Sequence, residues 1–299
     1  MNNQNLQMTT ERLPDFIIIG AMRAGTTSLH NYFELHPQVA VTTEKEPDFF
    51  IESKYGNGLD WYKSRFQGEA EFLGEASPNY SKVDVFPGVP KRIHDLLPDV
   101  KIIYVVRDPV ERFVSQYKHM LARGFDLPDP ANMCATPGDL PDIGVRLGLD
   151  RPYHHILSVS SYARQLRAYL EHFAMDQILV VEFEALYSKP VSELDRIQDF
   201  LGLKRLGPAA LPSLNRSAEL GRVPLPVLRS ARDTRMGKWM RDKMTLRTRD
   251  RMKKLIALPF PSREHIFEES HLARVRRDLG ADTAAFREMT DMPFDSWSI

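Results

Sequence analysis

A single cysteine, Cys134, occurs among 299 residues. One thiol excludes an intrachain disulfide and a cysteine-built zinc site, and it fits a reducing compartment. Long apolar runs are also missing. The first, Phe16-Ile17-Ile18-Ile19, is far too short for a bilayer, and no later run approaches the roughly 20 residues a membrane-spanning helix needs. Residues Met1 to Arg12 lack the basic start and apolar core of a secretory leader. Charge of one sign is absent too: 40 basic residues balance 40 acidic ones. That balance argues against a protein that coats nucleic acid or an anionic membrane, so any basic site is local. Hydrophobic residues at 42% and charged residues at 27% exclude a wholly disordered, collagenous or coiled-coil chain. The expectation is a cytoplasmic protein with no nucleic-acid partner and no integral membrane segment. Residues 1–13 are expected to be a disordered N-terminal segment before one domain over 14–299.

Buried strands and helices alternate along the chain. Phe16 to Ile19 is continuous, apolar and β-branched, as suits a strand covered on both faces of a parallel sheet. Val39 to Val41, Phe72 to Glu75, Lys101 to Val106 and Ile178 to Val181 are the other strand candidates. Helices are predicted from Thr27 to Leu35, from Pro109 to about Arg123, from Tyr162 to Phe173 and from Val191 to Leu203. Residues Gly124 to Pro152, rich in Pro, Gly and Asp, read as a long surface excursion or lid. Residues Leu206 to Val227 form a second irregular stretch, and a basic, helical-looking tail ends around Trp297. This order predicts an α/β domain with a central parallel sheet of about five strands flanked by helices.

The chemistry is expected in Gly20-Ala21-Met22-Arg23-Ala24-Gly25-Thr26-Thr27-Ser28, between the first strand and the first helix. Glycines five apart let backbone amides and the helix N-terminus approach an anion. Thr26, Thr27 and Ser28 add hydroxyl donors. The glycine spacing matches the Walker A pattern, but Thr26 stands where that pattern needs lysine. The cation lies inside the loop instead, at Arg23. Farther on, Arg107 follows a buried strand at the sheet's carboxyl edge, where ligands bind, and its planar guanidinium suits a phosphate. Ser115, about two turns into the following helix, can face the same anion.

These segments resemble the sulfotransferases that use 3′-phosphoadenosine 5′-phosphosulfate (PAPS). The glycine loop resembles their 5′-phosphosulfate loop. His36-Pro37 with Lys45-Glu46-Pro47-Asp48-Phe49-Phe50, and Glu75-Ala76-Ser77-Pro78-Asn79-Tyr80, resemble elements of the heparan-sulfate-type and related bacterial branch. Ile102 to Ser115 resembles the strand, loop and helix that bind the 3′-phosphate, and Ile178 to Leu186 resembles a later strand and helix start. The likeness covers roughly residues 14 to 205 and leaves the acceptor open. It departs at Arg23, where many relatives carry lysine, and at Ala76, where heparan-type relatives often carry a lysine near the acceptor.

The resemblance implies a P-loop NTPase-like single domain and sulfuryl transfer from PAPS to an acceptor hydroxyl or amine, with 3′,5′-ADP as product. Arg23, Ala24, Gly25, Thr26, Thr27 and Ser28 would hold the 5′-phosphosulfate. Arg107 and Ser115 would hold the 3′-phosphate, and Arg216, from a late basic loop that also contains Arg222, would close on the nucleotide. Glu46 is the expected general base, with Glu75 as its competitor. Lys45 would tune Glu46 or steady the sulfuryl charge, and Arg23 would act in the transition state. No metal is expected. His30, His154 and His155 lack metal-demanding spacing, while Glu184, Tyr162, Trp61 and Trp297 read as structural. The acceptor is expected to be a small molecule, lipid or glycan, and a bacterial source is implied. A P-loop kinase and a catalytically silent nucleotide-binding module are the alternatives. The kinase needs the missing Walker lysine, and the module leaves Lys45, Glu46 and Arg23 without a task.

Overall fold

The computed structural model describes residues 12–135, 140–142, 146–206 and 265–299. Five strands form one parallel sheet: β1 (Phe16–Gly20), β2 (Val39–Val41), β3 (Phe72–Ala76), β4 (Lys101–Val106) and β5 (Ile178–Glu182), in the order β2-β3-β1-β4-β5. The expected number and orientation of strands are those found. β1 is central and buried along its whole length, which is why its sequence is continuously apolar rather than alternating. Phe16 pairs with Gly74 on one side and with Lys101 on the other. The chain runs from β1 toward β2 and β3 on one side, then from β4 toward β5 on the other. The loops leaving β1 and β4 therefore diverge and open a crevice at the carboxyl ends of the strands.

The flanking helices are α1 (Thr26–Glu34), α2 (Glu52–Tyr55), α3 (Leu59–Lys63), α4 (Val89–Leu96), α5 (Pro109–Ala122), α6 (Pro130–Cys134), α7 (Pro152–Ser160), α8 (Tyr162–Leu170), α9 (Phe183–Ser188), α10 (Pro190–Leu201) and α11 (Glu269–Thr290). One apolar cluster surrounds the sheet, and a second lies between α5, α6, α7 and α11. α11 joins the two, with Val275 and Leu279 in the second cluster and Phe286 in the first. Trp297 stacks on Phe294 with ring centroids 4.1 Å apart, so the tail tryptophan is a packing residue. Among the described residues no helix is long and apolar enough to cross a membrane.

Two expectations need correction. The excursion after Gly124 is not all surface, because Met133, Cys134 and Leu147 are buried. α7 was not foreseen as a helix. Every residue from Tyr153 to Ser160 is buried, so the segment carries no polar face and no amphipathic period to reveal it. Residues 1–11 of the expected disordered segment lie outside the described residues. Arg12, by contrast, donates to the carbonyls of Ala70 and Glu71, both at 2.8 Å.

Sheet packing is tight enough to test. A Cβ built on Gly74 would lie 2.2 Å from the Phe16 ring. Gly74→Ala is expected to destabilise the fold by about 1–3 kcal/mol, the cost of overpacking a core. Denaturant unfolding would show a lower midpoint at unchanged slope. An unchanged midpoint would mean that Phe16 moves aside freely.

Candidate active site

The loop after β1 ends at Gly25, the N-cap of α1, with φ 90°. This left-handed backbone suits glycine. Space also demands it, because a Cβ there would lie 2.7 Å from the Phe183 ring. No side chain caps α1, so the partial positive end of the helix is left to a ligand. Ala24 and Thr26 are buried beneath the loop. Ser28 is also buried, with its hydroxyl 3.0 Å from that of Tyr187 on α9. Arg23 adopts φ 71°, uncommon for a residue with a side chain. Its Nε donates to Ser115 Oγ on α5 at 3.1 Å. Burial and the nearby Arg107 cation both lower the Arg23 pKa. Two guanidiniums close enough to disfavour each other define a place where an anion is stabilised.

Arg107 leaves the end of β4 and is fixed from several sides. The buried Tyr162 hydroxyl donates to the Arg107 carbonyl at 2.7 Å and accepts the Arg107 amide proton at 3.3 Å. The guanidinium lies over the Phe183 ring, 5.1 Å from its centroid. It also lies 3.3 Å from Glu111 and 4.0 Å from Glu184. Glu184 accepts the Asp108 amide proton at 3.1 Å. Asp108 in turn caps α5, accepting from the amides of Val110 at 2.8 Å and Glu111 at 3.0 Å. Phe183 thus lies against both the glycine loop and Arg107. Tyr162 and Glu184 hold this strand end through hydrogen bonds to its backbone.

A third guanidinium, Arg112, is fully buried behind the loop. It donates to Ser160 Oγ at 2.7 Å, to the Ile156 carbonyl at 2.7 Å and to the Met22 carbonyl at 3.4 Å, and it also bonds Gln116. Burial first, and then Arg107 and Arg23, lower its pKa to about 10. Arg112 ties the glycine loop to α5 and α7.

Lys45 and Glu46 follow β2 and form an ion pair with each other. The Glu46 side chain is 42% exposed, within reach of a second substrate. Glu46 and Asp48 both have left-handed backbones, with φ of 64° and 56°. Such non-glycine outliers persist only where surroundings enforce them, and they concentrate at functional sites. Phe49 and Phe50 beyond them are buried, and Phe49 stacks on Tyr62 with centroids 4.2 Å apart. Burial, reinforced by Glu46 and offset by Asn79, lifts Asp48 to about 6. Lys82 is buried opposite and donates to Asn79 at 2.7 Å. Its burial outweighs the pull of Asp48 and Glu46 and lowers it to about 8. Glu75, the competing base, is 1% exposed. Burial raises it to about 7, against hydrogen bonds from Ser77, Tyr62 and Tyr80.

The fold therefore brings Arg23 to Ser115 and seats the glycine loop, Arg107 and Ser115 around one crevice. Arg216 and Arg222 lie outside the described residues. Sequence reasoning missed Arg112, Phe183, Asp48 and Lys82. Arg112 sits one turn before Gln116 within the helix already singled out, and Asp48 lies inside the Lys-Glu-Pro-Asp-Phe-Phe run. Those positions were visible, but burial and partners were not.

Comparison with known proteins gives the family. A sulfotransferase domain model matches residues 13–213. The chain is 36% identical over 199 residues to heparan sulfate glucosamine 3-O-sulfotransferase 3A1 of Mus musculus, covering 66% of this chain and 48% of that protein. It is 32% identical over 208 residues to bifunctional heparan sulfate N-deacetylase/N-sulfotransferase 2 of Homo sapiens, covering 66% of this chain and 23% of that one. It thus spans about half the length of the first and about a quarter of the second. A sulfotransferase from Alicyclobacillus acidocaldarius shares the fold, with a TM-score of 0.65 and 21% identity over 96% of this chain and 100% of that one. With its model matched over more than half its length and the glycine loop, Arg107 and Ser115 gathered at one sheet edge, the chain belongs to the sulfotransferase domain family.

Proposed function

We propose that this protein transfers a sulfuryl group from PAPS to a hydroxyl or amine of a glycan. The observation that carries the reading is the 3.1 Å contact from Arg23 Nε to Ser115 Oγ. It joins the loop suited to a 5′-phosphosulfate to the helix that follows Arg107, as a donor bearing phosphates at both 5′ and 3′ positions requires. The residues fit such a donor: three guanidiniums converge, an uncapped helix start faces the crevice, and Gly25 leaves no room for a side chain. The kinase alternative is not favoured, since Thr26 occupies the position of the Walker lysine. A silent module is not favoured either, since Lys45 and Glu46 are present beside an exposed approach. The glycan acceptor rests on the relatives, whose names record both a hydroxyl and an amine of heparan sulfate.

In the proposed reaction the donor supplies an activated sulfuryl group. Glu46 takes the proton as the acceptor O–H or N–H bond breaks and the new bond to sulfur forms. The bond from sulfur to the bridging oxygen breaks, and its electron pair leaves on the 5′-phosphate of 3′,5′-ADP. Arg23 and the loop amides stabilise that growing charge. Lys45, paired with Glu46, steadies the carboxylate before the proton arrives. Arg107 and Ser115 select the 3′-phosphate.

Labelled PAPS offered with heparan sulfate and with its N-desulfated form tests the transfer. No label in either glycan would remove the glycan assignment. Calorimetry tests the donor site separately. Wild type is expected to bind 3′,5′-ADP more tightly than 5′-AMP, and Arg107→Ala is expected to weaken 3′,5′-ADP by about 1.5–3 kcal/mol, as for a hydrogen bond to a charged group. Equal affinity of wild type for the two nucleotides would refute the 3′-phosphate role.

A further inference from the structure

Glu75 is a carboxylate buried among hydroxyls, a costly placement that calls for a return. Its Oε1 accepts from Ser77 Oγ at 2.6 Å and from Tyr80 Oη at 2.6 Å, and its Oε2 accepts from Tyr62 Oη. With both oxygens engaged and the residue closed off, no acceptor reaches it. Its partners nevertheless lead to the base segment. Ser77 Oγ accepts the Asp48 amide proton at 3.1 Å, and Tyr80 Oη accepts the Phe50 amide proton at 3.2 Å.

A hydroxyl has one proton to give. Ser77 and Tyr80 receive an amide on a lone pair and send that proton to Glu75. While Glu75 is ionised it only accepts, and it then fixes the direction of both relays. Asn79 braces the same segment by donating to Asp48 Oδ2 at 2.8 Å. Glu46 and Asp48, with their left-handed backbones, need such enforcement.

We propose that Glu75 is the positioning residue for the base: through Ser77 and Tyr80 it fixes the backbone of residues 46–50 and thereby the direction of the Glu46 carboxylate. This rests on Glu46 being the proton acceptor. Leucine at position 75 would offer no acceptor, so the hydroxyl protons of Ser77, Tyr80 and Tyr62 would all lose their partner.

Amide hydrogen exchange reads the relay without any acceptor. Ser77→Ala is expected to speed exchange at Asp48, Tyr80→Phe at Phe50, and Glu75→Leu at both, each by about tenfold or more. Amides of β1 and β4 should keep wild-type protection. Ser77→Thr, which retains the hydroxyl, should restore protection at Asp48. In transfer to N-desulfated heparan sulfate, kcat of Glu75→Leu should fall by roughly 10–10²-fold, the cost of a misplaced group. KM for PAPS and affinity for 3′,5′-ADP should stay at wild-type values. If Glu75→Leu does not fold, the Ser77 and Tyr80 variants decide. Unchanged exchange at residues 48 and 50 would overturn the proposal, as would faster exchange with undiminished kcat. A wild type inactive on either glycan would count against the transfer reading, and exchange alone would then decide whether Glu75 fixes the segment.

Discussion

Glu46→Gln is expected to lower turnover by roughly 10²–10⁴, the usual contribution of a positioned base. Glutamine keeps the size and most of the hydrogen bonding of glutamate and removes only the proton acceptor. The structure makes this a clean experiment. The Glu46 side chain is 42% exposed and its ion pair is with the adjacent Lys45, so losing the charge should scarcely move the melting temperature. Affinity for 3′,5′-ADP should be unchanged, because the glycine loop and Arg107 lie on other segments. Kinetics, calorimetry and thermal unfolding on one preparation would separate these effects. Full turnover by Glu46→Gln would end the assignment of Glu46 as the base. Glu75 would not simply inherit the role, since both its oxygens are taken by buried hydroxyls.

Arg23→Ala should reduce turnover by roughly 10²–10³, the loss seen when one donor to a developing oxyanion is removed. The expected asymmetry matters more than the size: turnover should fall further than affinity for 3′,5′-ADP. Arg23 is held at φ 71° and bonds Ser115 through Nε. Both features hold the guanidinium beside the glycine loop, where the proposed leaving phosphate would lie. Arg23→Lys keeps the charge but has no Nε to bond Ser115, so partial activity is expected. Ser115→Ala in the wild-type background should reproduce part of the lysine defect. Turnover near wild type in Arg23→Ala would reduce Arg23 to a residue that shapes the loop.

Much of the framework was legible because it is local. A strand covered on both faces must be apolar at every position, and Phe16 to Ile19 and Ile102 to Val106 are. The glycine at the start of α1 announces its own backbone. Asp108-Pro109 announces the helix after β4, through an N-cap and a proline at the first turn. α7 was illegible for the opposite reason, since a helix buried all round has no polar face to give it a period.

The residue types, their spacing and their place at strand ends belong to the sequence, because backbone preference and burial of a strand are decided within a few neighbours. The site's pairings belong to the tertiary structure. Arg23 and Ser115 are 92 residues apart and meet only because β1 and β4 are adjacent in the sheet. Phe183 reaches both Gly25 and Arg107 only because β5 lies beyond β4. The two glutamates show the division most sharply. Each follows or ends a strand near the same edge, and their sequence neighbourhoods do not show which of the two is open to solvent. β3 is flanked by β1 and β2 and covered by α3 and its aromatic neighbours, so Glu75 is shut among hydroxyls. Glu46 leaves the edge strand β2 on a left-handed turn and reaches solvent. Burial depends on what the rest of the chain places overhead, and it decides which carboxylate an acceptor can touch.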